Sequence, residues 1–165
     1  YEIATRGLLG FRSEFIMDTK GEGIIDHSFM KYDKYKGSIA QRQNGVLISQ
    51  GKGVSVAFAL WNLQERGILF INPGTEVYAG MIIGENSRNE DLIVNTCKEK
   101  KLSNMRTTSS DESIKLTPPR LLTLESALEF IQNDELVEIT PANIRLRKKL
   151  LNETDRKRAK TTSNS

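Results

Sequence analysis

The stretch from Lys98 to Lys115 constrains this chain most, because it carries no apolar periodicity. It holds Lys98, Lys100, Lys101, Asn104 and Arg106, followed by Thr107-Thr108-Ser109-Ser110. Such a segment cannot bury enough apolar surface to offset the entropy of ordering it. It therefore reads as a loop, and the folded unit must close around its two ends. A loop of this length inside a compact domain is either functional or disordered.

The sequence before the loop falls into two parts. Residues 1–36 read as strand, helix, strand. Tyr1–Ala4 is short and partly apolar, and Leu8, Leu9, Phe11, Phe15 and Ile16 recur at helical spacing. Gly21 and Gly23 end that helix, since glycine readily takes the positive φ of a helix terminus. Ile24–Tyr32 follows as a strand that would include His27. This is half of a small α/β sandwich, and Tyr1 in place of Met suggests a piece of a longer protein. A second unit starts near Lys36-Gly37. Val46–Ser49 and Val54–Leu60, separated by Gln50-Gly51-Lys52-Gly53, read as a β-hairpin. Trp61–Arg66 reads as a helical turn stopped by Gly67. Ile68–Ile71, Val77–Tyr78, Met81–Ile83 and Leu92–Thr96 read as further strands, with a turn at Asn72-Pro73-Gly74.

Pro118-Pro119 closes the loop on its far side. Thr123 is a good N-cap for a helix whose Leu124, Ala127, Leu128 and Ile131 follow amphipathic spacing, with Glu125 suiting the helix dipole. Leu136–Thr140 reads as a strand. Ile144, Leu146 and Lys148 alternate with Arg145, Arg147 and Lys149, which fits a last strand with one basic face; a helix is the alternative. Asn152 is placed to cap a final helix through about Lys160. The fold class is α+β.

The formal net charge of +3 conceals an uneven distribution. Residues 98–106 hold four basic groups and one acidic, residues 107–144 two basic and seven acidic, and residues 145–165 eight basic and two acidic. Two basic islands thus flank an acidic stretch. Islands of one sign concentrate potential and attract polyanions.

Most catalytic chemistry lacks its residues. One cysteine, Cys97, permits neither a disulfide framework nor a cysteine zinc site, and one histidine, His27, removes most metal and triad arrangements. Cys97 reads as a small apolar residue at a strand end, although Lys98 beside it would favour a thiolate. Gly51-Lys52-Gly53 fails the phosphate-loop pattern because Val46 and Gly53 occupy required Gly and Ser/Thr positions. It fails the dinucleotide pattern because Val56 stands at the third glycine. The adjacent pairs Asp111-Glu112 and Asp134-Glu135 should point apart and so not serve one site. Asn152-Glu153-Thr154 fits a glycosylation sequon without secretory context. No run approaches the roughly 18 apolar residues of a membrane span, and no signal peptide opens the chain.

The parts of an RNA binder are present. Lys98, Lys100, Lys101 and Arg106 would neutralise phosphates, and Arg106 could also stack on a base. Asn104 suits a base edge or a 2′-hydroxyl. Leu102 and Met105 would pack on a base or tether the loop to the domain. The loop has no aromatic residue, so it is not itself a stacking platform. Arg145, Arg147, Lys148 and Lys149 form a second basic set, and Arg156, Lys157, Arg158 and Lys160 a third.

Several stretches resemble the C-terminal part of the TypA/BipA family of ribosome-associated translational GTPases. They are Arg6-Gly7-Leu8-Leu9-Gly10-Phe11-Arg12-Ser13-Glu14-Phe15, Gln41-Arg42-Gln43-Asn44-Gly45-Val46-Leu47-Ile48-Ser49 and Lys100-Lys101-Leu102-Ser103-Asn104-Met105-Arg106. Ala127-Leu128-Glu129-Phe130-Ile131 and Ile144-Arg145-Leu146-Arg147-Lys148-Lys149 continue the match in the family's order. The resemblance implies that residues 1–36 are the second half of a ferredoxin-like module like domain V of elongation factor G. Residues 37–150 would then be a mostly β, family-specific domain with a few helices and a basic loop at about 95–114, and 151–165 a basic helix or tail. It implies a cytoplasmic, monomeric, non-catalytic module that contacts the 70S ribosome, large-subunit rRNA and the acceptor end of A-site tRNA. Lys98, Lys100, Lys101, Asn104, Arg106, Arg145, Arg147, Lys148 and Lys149 would make the RNA contacts. GTP and magnesium would belong to an upstream G domain, and the family is linked to large-subunit assembly, stress and growth at low temperature. The rival reading is a protein-interaction domain without RNA contact, using the 1–36 edge and the acidic 107–144 segment.

Overall fold

The computed structural model describes residues 1–8, 11–35, 37, 42–99 and 115–163. Its architecture is α+β: a six-stranded sheet with helices on both faces. The sheet strands are β1 (Val46–Ser49), β3 (Gly67–Leu69), β5 (Met81–Asn86), β6 (Leu92–Val94), β7 (Glu135–Ile139) and β8 (Ile144–Lys148). A separate two-stranded ladder joins β2 (Gly53–Val54) to β4 (Glu76–Val77). The helices are α1 (Phe11–Asp18), α2 (Ala57–Leu63), α3 (Leu124–Phe130) and α4 (Glu153–Ser163).

Strand β5 is the centre. On one side it pairs antiparallel with β1, which pairs parallel with β6 beyond it. On its other side Met81 and Ile82 pair with β8, and Gly84–Asn86 pair with β3. Strand β7 then pairs along the whole of β8. Gly80 makes the entry to β5 possible. It has φ +84, and a Cβ there would lie 2.8 Å from the Leu151 backbone.

Both faces of the sheet are covered, which explains why Val46-Leu47-Ile48 is a continuous apolar run rather than an alternating one. On the first face Leu47, Leu69, Met81, Ile83 and Val94 pack with Leu60 and Leu63 of α2. On the second face Val46, Ile48, Ile82 and Leu146 pack with Ala127 and Phe130 of α3. Phe70 meets Phe130 edge-on at 5.2 Å. Full burial of each large aliphatic side chain contributes about 1.5–3 kcal/mol.

Three local expectations change. The 46–60 hairpin does not form: β1 ends at Ser49, β2 pairs with β4, and Ala57–Leu63 is helical. A short apolar run suits a buried helix as well as a strand, and two alanines with Leu60 and Leu63 on one side favour the helix. Tyr1–Ala4 and Ile24–Tyr32 are irregular rather than strands, since no ladder partner lies beside them among the described residues. His27 is accordingly exposed in irregular chain. The helix between them ends where expected, with Lys20 and Gly21 at positive φ and the Gly21 N–H donating to Ile16 O at 2.8 Å. Among the residues of 1–35 whose burial is described none is buried, and Ile24, Phe29 and Tyr32 are exposed.

Candidate nucleic-acid interface

Strand β8 separates its cations by parity. Arg145 and Arg147 pair with Glu138 and Leu136 of β7, and Arg147 also sits opposite Met81. They therefore lie on the first face, the side of Met81 and α2, and both are partly exposed. Tyr78 is beside them and donates its hydroxyl to the Glu138 carboxylate. Burial, and then that bond and the charge of Glu138, push the Tyr78 phenol up to about 12, while Arg147 and Arg145 act in the opposite direction. Lys149, just past the strand, is exposed.

Lys148 lies on the opposite parity and does not reach solvent as expected for a phosphate contact. Its Nζ lies 2.8 Å from Asp91 Oδ2, 2.9 Å from Asp134 Oδ2 and 2.9 Å from Glu135 Oε1. Burial alone would pull the ammonium down, but hydrogen bonds to Asp91, Asp134 and Glu135 outweigh it and hold it above its ordinary value. Glu135 is also gripped by Arg42, whose Nη2 and Nη1 donate to its two oxygens at 2.8 and 3.1 Å. Arg42 lies 4.2 Å from the Phe130 ring centroid and donates to the carbonyls of Asn44 and Phe130. Five ionisable side chains from four parts of the chain thus form one cluster, with Arg42, Glu135 and Lys148 buried and Asp91 and Asp134 at its rim. Asp134 and Glu135 do converge, contrary to the adjacency argument. Asp134 is in the turn before β7, so strand alternation does not govern it. The sequence held one signal of this, since Lys148 shares the parity of Ile144 and Leu146.

The flanks of the basic loop are held on the first face. Cys97 packs against the first-face cluster, and a Cβ on Gly53 would lie 2.6 Å from its Sγ. Lys98, next along, is exposed. On the return, Leu116 packs on the same cluster, the Thr117 N–H donates to Gln64 Oε1 at 3.0 Å, and Gln64 Nε2 donates to Lys115 O at 3.3 Å. Lys100, Lys101, Asn104 and Arg106 lie outside the described residues.

Helix α4 carries the third basic set, less freely than its composition suggests. Arg156 Nη1 donates to Leu150 O and Leu151 O at 2.8 and 2.6 Å, and Lys157 pairs with Glu153 at 2.6 Å. Asn152 precedes the helix, with its side-chain amide donating to Asp155 at 3.2 Å. A cleft of about 550 Å³ opens between α4 and the sheet, lined by Ile48, Ile93, Lys149 and Glu153. Among the described residues, no group of three or more His, Cys, Asp or Glu is arranged to hold a metal ion.

Comparison with known proteins gives this arrangement a context. The profile of the TypA/BipA C-terminal domain matches residues 44–153. The chain belongs to the TypA/BipA family. A protein of Escherichia coli (strain K12) named large ribosomal subunit assembly factor BipA is 56% identical over 160 residues, covering 96% of this chain. The protein of the same name in Haemophilus influenzae is 54% identical over 166 residues, covering 100% of the chain. The BipA of Buchnera aphidicola is 56% identical over 160 residues. The chain spans about a quarter of the length of these relatives, 26% for the first and 27% for the second. The TypA/BipA match covers the whole sheet and both flanks of the loop, so the loop anchors and every member of the cluster except Arg42, which lies two residues before it, fall within the matched span.

Proposed function

We propose that this chain is a non-catalytic ribosome-binding module, the C-terminal part of a translational GTPase that acts in large-subunit assembly in the bacterial cytoplasm. Lys98, Lys100, Lys101, Asn104 and Arg106 contact large-subunit rRNA and the acceptor end of A-site tRNA, with Arg145, Arg147 and Lys149 as a second phosphate-facing set. Lys148 has no part in it. The module works as a monomer, and GTP and magnesium are handled by residues outside this chain.

The observation that carries this reading is the placement of the loop flanks. Both are tied to the face that also shows Arg145 and Arg147, in a chain 56% identical to a protein named for ribosomal subunit assembly. Cations gathered on one side of a rigid sheet suit a polyanion surface better than cations scattered around it. Replacing Lys100, Lys101 and Arg106 together with Ala tests this. Ribosome affinity should fall, and each lost phosphate contact should reduce the slope of log K against log salt by about 0.7–0.9. Unchanged affinity and slope would remove the loop from the interface. A protein-only partner is favoured by one observation, the exposed Ile24, Phe29, Met30 and Tyr32. Under that alternative, partner capture would survive RNase treatment.

A further inference from the structure

Helix α2 spans the gap between the two flanks of the basic loop. At its start the Val56 N–H donates to Thr96 O at 3.0 Å, one residue before Cys97. Just past its end Gln64 exchanges hydrogen bonds with Lys115 and Thr117. A helix of seven residues is roughly 10 Å long, so Thr96 and Lys115 meet its two ends about that far apart. The helix buries Ala59, Leu60 and Leu63. That orientation turns Phe58, Trp61 and Asn62 outward, and Glu65 bounds the stripe one turn beyond Trp61. Trp61 is 42% exposed, with the Phe58 ring 6.5 Å away and inclined by 31°.

Trp61 stands exposed between two stems that each carry a lysine. The exposed part of Trp61 is on the order of 100 Å², far below the ~800 Å² per partner of a stable protein interface. It matches the face of one planar ring. Lys98 and Lys115, both exposed, stand at the two stems on either side of α2 and are suited to contact a phosphate backbone. We propose that Trp61, supported by Phe58, is a stacking platform for one unpaired RNA base at the root of the basic loop. This rests on the RNA-binding reading above and adds to it a residue that works by stacking rather than by charge.

Trp61 is the only tryptophan of the chain, so its emission reports this site alone. The test titrates the full chain with a 12-nucleotide oligoadenylate and with an RNA duplex of the same length, following emission and the anisotropy of labelled RNA. Quenching by the single strand, saturating together with the anisotropy, is expected, with much less quenching by the duplex. Trp61→Ala should weaken single-strand binding by about 5- to 150-fold and leave the salt slope unchanged, because stacking releases no counterions. Trp61→Tyr should retain most of the affinity, which separates stacking from a folding defect. Binding without quenching, or Trp61→Ala equal to the parent, overturns the platform and leaves the phosphate-contact reading standing. No binding of either RNA overturns both.

Discussion

The two faces of the sheet use their charges differently. On the second face, Lys148 and Arg42 are enclosed with Glu135 and paired at the rim with Asp91 and Asp134, and they hold β8, the turn before β7 and residues 42–44 together. On the first face, Arg145 and Arg147 keep partial exposure, next to the α2 layer that anchors the loop. Neighbours on one strand, Arg147 and Lys148, thus serve opposite ends, one offered outward and one locked inward. Net charge and the spacing of basic residues do not distinguish them. What distinguishes them is which carboxylates other elements bring to each face.

The sharpest way to break this contrast is Lys148→Met. It leaves Glu135 buried with one partner fewer, and removing one member of a buried ion cluster costs about 3–5 kcal/mol. Chemical denaturation should show that loss, while the salt slope of ribosome binding stays unchanged. A variant of parental stability would mean the cluster is not structural.

A smaller effect is expected from Thr123→Ala, which removes the capping box of α3. The Ser126 N–H donates to Thr123 Oγ1, and the Thr123 N–H donates to Ser126 Oγ. The expected cost is about 1 kcal/mol in denaturation, with RNA binding untouched. On the other face Arg145→Ala and Arg147→Ala should do the reverse, each lowering the salt slope by about 0.7–0.9. An effect of either arginine change on stability rivalling that of Lys148→Met would erase the distinction between faces.

The mildest prediction concerns alkaline pH. Tyr78 and Lys148 both bind their proton more tightly folded than unfolded. Below the unfolded values, near 10, their contribution is fully present. As pH rises through the raised folded values the unfolded chain has already lost these protons, so stability falls. Denaturation midpoints should be level near neutrality in this respect and decline between pH 10 and about 12. Tyr78→Phe should remove part of that decline.

Much of the fold could be read from local pattern. The runs at Val46–Ser49 and Met81–Ile83 are apolar because both sheet faces are covered, and Thr123 sits where a helix must have its donors satisfied. Ala57–Leu60 reads as strand and folds as helix because a short apolar run suits either buried element, and only tertiary contact decides. The parallel pairing of β1 with β6 joins residues about 45 apart, so no local signal announces it. The site divides the same way. Alternation along β8 separated Arg145 and Arg147 from Lys148, yet the meaning of that separation needed Asp91 and Asp134 from distant positions. In the sequence Trp61 reads only as part of a helical turn. Its relevance comes from Thr96 and Thr117, more than 30 residues on, meeting the two ends of the same short helix.

The central claim, that the first-face cations form a polyanion interface, is tested most directly by co-sedimentation with 70S ribosomes across a salt series. The chain and a form with residues 98–114 replaced by a short Gly/Ser linker are compared. The intact chain should bind with a steep salt dependence, and the replaced form should bind weakly with a shallower slope. Equal affinities and equal slopes for the two would contradict it.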